Sequence, residues 1–100
     1  MDATTFPTQY PQLYAAICAL VADNCMPEER EQVTTQCVQH AINHRTTTSL
    51  AAAERELQGM TPDELLTFAC GDLTDATPLK QAATTADNIL DQLFAEVICK

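Results

Sequence analysis

An all-α fold, a compact single-domain bundle of about five helices, follows from three observations on the sequence. Leu13 to Ala22 runs for ten residues without a strongly polar side chain, and a helix apolar all the way round has to be covered on every side. Helix-start chemistry recurs along the chain, with Pro11, Pro27, Pro62 and Pro78 each suited to a first helical turn, where a missing N–H costs nothing. No stretch alternates apolar and polar residues with β-branched enrichment, so no sheet is expected. The expected arrangement puts the hydrophobic first helix at the centre and packs a long amphipathic C-terminal helix along it.

Residues 1–10, with Thr and Pro and little periodicity, are expected as an extended N-terminal arm, and residues 11–100 as one helical domain. Phe6, Tyr10 and Tyr14 recur every four residues and can pave one side of the first helix, Pro11 to Asp23, which ends at Asn24. Pro27 opens the second helix, and Glu28, Glu29 and Glu31 favour its positive end. That helix reaches His44, with Val33, Cys37, Val38, Ala41 and Ile42 on one side and Gln32, Gln36, Gln39 and Asn43 on the other. The hydroxyl run Thr46 to Ser49 marks a turn.

A third helix, Ser49 to Gln58, carries Leu50, Ala53 and Leu57 on a narrow stripe and stops at Gly59, a suitable left-handed C-cap. Thr61-Pro62-Asp63-Glu64 combines an N-cap hydroxyl, a proline at N1 and a glutamate at N3 into a capping box, with Met60 placed to staple onto Leu65. The fourth helix is short, Pro62 to Cys70, and Gly71 ends it. After a polar loop at 72–77, Thr77-Pro78 restarts the chain. Positions 79, 82, 83, 86, 89, 90, 93, 94, 97 and 98 are then all apolar and cover half of the last helix. Thr84 with Asp87 offers a second cap, from which the regular helix would begin near Thr85.

Fourteen Asp and Glu against five Lys and Arg give a net charge of −9. That balance repels phosphate backbones and anionic lipid, so no direct nucleic-acid or membrane binding is expected, and it favours a partner with a basic surface. The apolar run is about half the length of a bilayer-spanning helix. Met1 to Gln12 carries only Asp2, without the basic start of a secretory signal, and the chain is expected to be cytoplasmic. Five cysteines, Cys18, Cys25, Cys37, Cys70 and Cys99, form no C-x-x-C pair, as for reduced thiols packed as small hydrophobes.

Only Cys37, His40 and His44 have ligand-like spacing, projecting from one side of the second helix where a thiolate and two imidazoles could share a zinc ion. No second cluster completes such a site, and the two imidazoles suit a helix C-terminus, so no metal, cofactor or catalytic residue is assigned. The lead reading, reached by elimination, is a small acidic cytosolic protein that binds another protein without catalysis, as an adaptor, regulator or inhibitor. A nucleic-acid-mimicking inhibitor of a DNA- or RNA-binding protein is the alternative, and a metal- or thiol-dependent enzyme on Cys37, His40 and His44 the third. Partner contact is expected at Asp63, Glu64, Asp72 and Asp75 and along the last helix at Asp87, Asp91 and Glu96. A homodimer is expected to bury Ile89, Leu93 and Val97.

Overall fold

The computed structural model describes residues 4–70 and 83–99. Among them are six α-helices and no strand: α1 (Phe6–Gln9), α2 (Pro11–Asn24), α3 (Arg30–His44), α4 (Thr47–Leu57), α5 (Pro62–Ala69) and α6 (Thr84–Leu93). The last continues into a π-helical turn, Phe94–Ile98, closed by Cys99 N–H donating to Phe94 O at 2.8 Å. The all-α bundle expected from the sequence is therefore the observed fold. Its Cα radius of gyration is 12.3 Å, close to the roughly 13 Å of a packed domain this size.

α2 is the central element, touching every other helix and the π turn. It buries Leu13, Ala16, Ile17, Leu20 and Val21, while Tyr14, Ala15, Cys18 and Ala19 are half-buried and Ala22 is exposed. The cover demanded by its apolar sequence is thus complete on one side and partial on the other. Small residues make that tolerable, because an alanine leaves little apolar area in water. α3 behaves as the covering helix that its one-sided pattern predicts, burying Cys37, Val38 and Ala41. Leu50, Leu57, Ile89 and Leu93 are at most 1% exposed and complete the core, each worth about 1.5–3 kcal/mol of burial.

Several expectations are revised. Residues 6–9 are helical, not extended, because Phe6 is fully buried and its ring packs on Tyr10 and Tyr14 at centroid distances of 5.3 and 6.4 Å. Pro27 does not open α3 directly: Glu29 and Arg30 N–H groups bond back three residues, to Met26 and Pro27 carbonyls, before the α-helical ladder begins at Arg30. Thr46 is a true N-cap, accepting from Ser49 N–H at 3.1 Å, so the hydroxyl run forms the start of α4 in place of a turn. Gly59 is not left-handed. α4 closes instead through Gln58 N–H, shared between the Glu54 and Arg55 carbonyls at 3.0 and 3.4 Å. Ala83, not Thr84, occupies the N-cap position of α6. The capping box of α5 is formed as read, with Thr61 and Glu64 bonded reciprocally at 2.9 and 3.2 Å.

Three helix ends take side-chain partners from outside their own helix. Pro11 opens α2 without any side-chain cap. Its next two N–H groups, on Gln12 and Leu13, donate to the Glu54 carboxylate of α4 at 3.2 and 2.9 Å. Glu56, also on α4, accepts from Ala86 N–H in the first turn of α6 at 3.1 Å. At the other end of α2, Arg30 donates to the Ala22 and Cys25 carbonyls at 3.1 and 3.2 Å. Carboxylates meet N-termini and a guanidinium meets a C-terminus, as the helix dipoles favour.

Candidate functional site

The residues singled out from the sequence separate into different places. Cys37 lies in the core with no exposed surface, and burial pushes its thiol up to about 11, helped by the neighbouring Cys25 and Cys18 sulfurs. Roughly one such thiol in ten thousand is ionised at neutral pH, so Cys37 is poorly suited to serve as nucleophile or ligand. His40 instead faces Glu96, with Nε2 to Oε2 at 3.3 Å, and its ring stacks on that of His44 at 4.2 Å and 29°. Lone pairs lie in the plane of an imidazole ring, so two stacked rings do not aim at one ion. Among the described residues no three His, Cys, Asp or Glu side chains are disposed to hold a metal.

The acidic set is also dispersed. Asp63 is exposed on α5, while Glu64 is engaged in the capping box and Glu96 pairs with His40 on the α3 side. Asp72 and Asp75 lie outside the described residues. Ile89 and Leu93, expected on a dimer face, are 1% exposed because α6 presents them to its own chain's core, and Val97 is half-buried against that core. They offer no free apolar face to a second copy.

Asp87 and Asp91 do come together with other groups. One turn apart on α6, they line a cleft of about 310 Å³ with Leu90 between them and Phe94 on the following turn. The far wall is the end of α2, with Leu20, Asp23 and Asn24, and the third side is the end of α5, with Phe68, Ala69 and Cys70. The floor is apolar, the rim carries three carboxylates, and no Lys or Arg lines it among the described residues. Two helices present their C-terminal turns here, and those ends are negative. Asp23 lies in the last turn of α2, where its charge opposes the helix dipole. Arg30 and the Asn24 side chain, which bonds Leu20 O at 2.8 Å, relieve the backbone carbonyls of that turn. Neither bond is to the Asp23 carboxylate.

A shallower groove adjoins the cleft, sharing Asp23 and Cys70 and bringing in Ala19, Ala22 and Leu66. Leu66 and Phe94, two of the exposed large hydrophobic residues, are 53% and 38% exposed and flank the combined surface. Sequence reasoning identified Asp87 and Asp91 but missed Leu20, Asp23, Phe68 and Phe94. The available signal was an acid at a predicted helix C-terminus, an arrangement that weakens the helix and invites another reason for its presence.

The remaining four thiols are half-buried or, at Cys99, exposed. Cys18 is shifted upward by burial, which a hydrogen bond from Tyr14 partly offsets, and the Tyr14 hydroxyl is itself raised, chiefly by the charge Cys18 would carry beside it. All five cysteines are free thiols. Among the described residues no helix is long and apolar enough to cross a membrane. Comparison with known protein families, curated proteins and solved structures finds no match to this chain.

Proposed function

We propose that this protein is a non-catalytic cytosolic binding module, an adaptor, regulator or inhibitor, whose partner is a protein with a basic surface. The observation that carries the reading is the cleft between α2, α5 and α6, apolar in its floor and acidic around its rim. Exposed apolar surface bordered by charge is the usual composition of a protein-binding patch, with the apolar centre supplying affinity and the rim supplying steering and register. The net charge of −9 adds long-range attraction for a basic partner. Free thiols throughout support a reducing compartment.

Engagement of Glu54, Glu56, Glu64 and Glu96 with groups of their own chain supports an apolar-anchored binder over a nucleic-acid mimic, which needs its carboxylates free to stand in for phosphates. The test is affinity capture from native extract at low and at high salt, with Phe94→Ala as the comparison. A partner gripped through the apolar centre should survive high salt on the parent chain and be lost from the variant. A captured protein that duplex DNA displaces, and that Phe94→Ala retains in full, would argue for mimicry instead.

A further inference from the structure

We infer that the cleft between α2, α5 and α6 seats an arginine side chain from the partner, flanked in the partner by apolar residues that rest on Phe94 and Leu66. The inference rests on the protein-binding reading above and names the group the cleft receives. Three properties of the cleft select it. Asp91 on α6 and Asp23 at the end of α2 line opposite walls of the cleft, so a single group entering between them meets carboxylates on two sides. A planar guanidinium holds five N–H donors in a fixed fork that meets a carboxylate through two coplanar hydrogen bonds, whereas the three diverging donors of an ammonium meet carboxylate oxygens singly. Phe68, Leu90 and Phe94 line the same cavity, and an arginine stem lies along apolar surface while its head stacks on aromatic faces. A carboxylate or phosphate ligand is disfavoured by sign, since two helix C-termini and the carboxylates of Asp23 and Asp91 converge there. A purely apolar ligand would strand those acids beside it without pairing them.

Asp23 and Asp91 also act against the fold, which gives the inference a second readout. Asp23 opposes the dipole of α2, and Asp91 adds like charge near it, so both are placed where they weaken the isolated protein. Removing these charges should therefore stabilise the chain while weakening binding, the exchange expected of residues kept for recognition.

The experiment titrates the isotope-labelled protein with capped helical peptides carrying one arginine between two leucines on one face. The neutral citrulline counterpart and the lysine counterpart serve as comparisons, and amide shifts are followed by NMR. The arginine peptide should shift the amides of Leu20, Asp23, Phe68, Leu90 and Asp91. Citrulline should weaken binding at least roughly tenfold, and so should Asp23→Asn with Asp91→Asn in the protein. That double variant should also unfold at higher urea than the parent. Shifts confined to the Glu28, Glu29 and Glu31 face would overturn the assignment of the cleft and leave the basic-partner reading standing. Equal binding of arginine and citrulline peptides, or of arginine and lysine peptides, would overturn the choice of arginine. Destabilisation by the double variant would assign these carboxylates to the fold and overturn the inference. If no basic peptide binds anywhere at millimolar concentration, the reading beneath it fails as well.

Discussion

Glu54 is the one buried charged residue in the described core, 5% exposed, and its removal should be among the most costly single changes on the chain. Its two carboxylate oxygens accept from Gln12 N–H and Leu13 N–H, the donors that Pro11 and Tyr10 leave without a local cap. Gln12 reinforces the junction, donating its side-chain amide to Leu57 O at 3.0 Å and, more weakly, to Met60 O at 3.4 Å. Glu54→Gln keeps the shape but turns an NH₂ group toward one of those donors and removes the charge at the helix N-terminus. A hydrogen bond to a charged group is worth about 1.5–3 kcal/mol, so a loss of about 2 kcal/mol is expected. Glu54→Leu is the sharper test, because it supplies apolar volume in the same place. Leucine would restore stability if the carboxylate were merely filling space. With one buried and one part-buried N–H group orphaned, the expected loss is instead about 3–4 kcal/mol, a large part of the roughly 5–15 kcal/mol typical of a domain. Urea unfolding monitored by far-UV circular dichroism gives the energies, and amide hydrogen exchange gives the location. Protection should fall first at Gln12 and Leu13. A Glu54→Leu variant as stable as the parent, with both amides still protected, would refute distal capping as the support of α2.

Cys37 ties stability to alkaline pH. Its thiol is raised from 9.0 to about 11 in the folded chain, so the folded state holds a proton that the unfolded state releases. Stability contributed by the protonated thiol is present below pH 9 and is lost as pH rises from about 9 to 11, by at most about 2.7 kcal/mol at about 1.36 kcal/mol per pH unit. Cys37→Ala should flatten that part of the profile, and an unchanged slope in unfolding experiments would refute the assignment. In native-state labelling the exposed Cys99 should react first and Cys37 last, with all five thiols reacting in urea. Gly59 has open space where a Cβ would go and is not left-handed. Gly59→Ala should therefore stabilise by about 0.4–1 kcal/mol through the unfolded chain, and a measured loss would mean a strained backbone there. Leu93→Ala should cost about 2–5 kcal/mol because it opens the chain's own core. That loss should be independent of protein concentration, and a concentration-dependent loss would restore a dimer face on α6.

The acidic residues divide by work as much as by position. Glu54 and Glu56 hold the starts of α2 and α6, Glu64 holds the start of α5, and Glu96 faces His40 beside the π turn. Asp23, Asp87 and Asp91 share one cleft with an apolar floor. A count of charge therefore overstates the negative surface available to a partner. It also hides where that surface is concentrated, between the ends of two helices whose dipoles add to it.

What the sequence determined by itself was the local structure: the proline starts of α2 and α5, the capping box at Thr61–Glu64, the covering face of α3 and the central place of Leu13–Val21. These depend on residues within a turn or two of one another, so spacing along the chain is the same information as spacing in space. Tertiary structure alone decided which helix caps were supplied from a distance. Glu54 is 42 residues from Gln12 and Glu56 is 30 from Ala86, and no periodicity links such pairs. It alone set Glu96 of the π turn against His40 of α3, a pairing that no local spacing announces. It alone brought Asp23, Phe68 and Asp91 to one cleft from three helices. The cleft exists only once packing has set the ends of α2 and α5 against one face of α6.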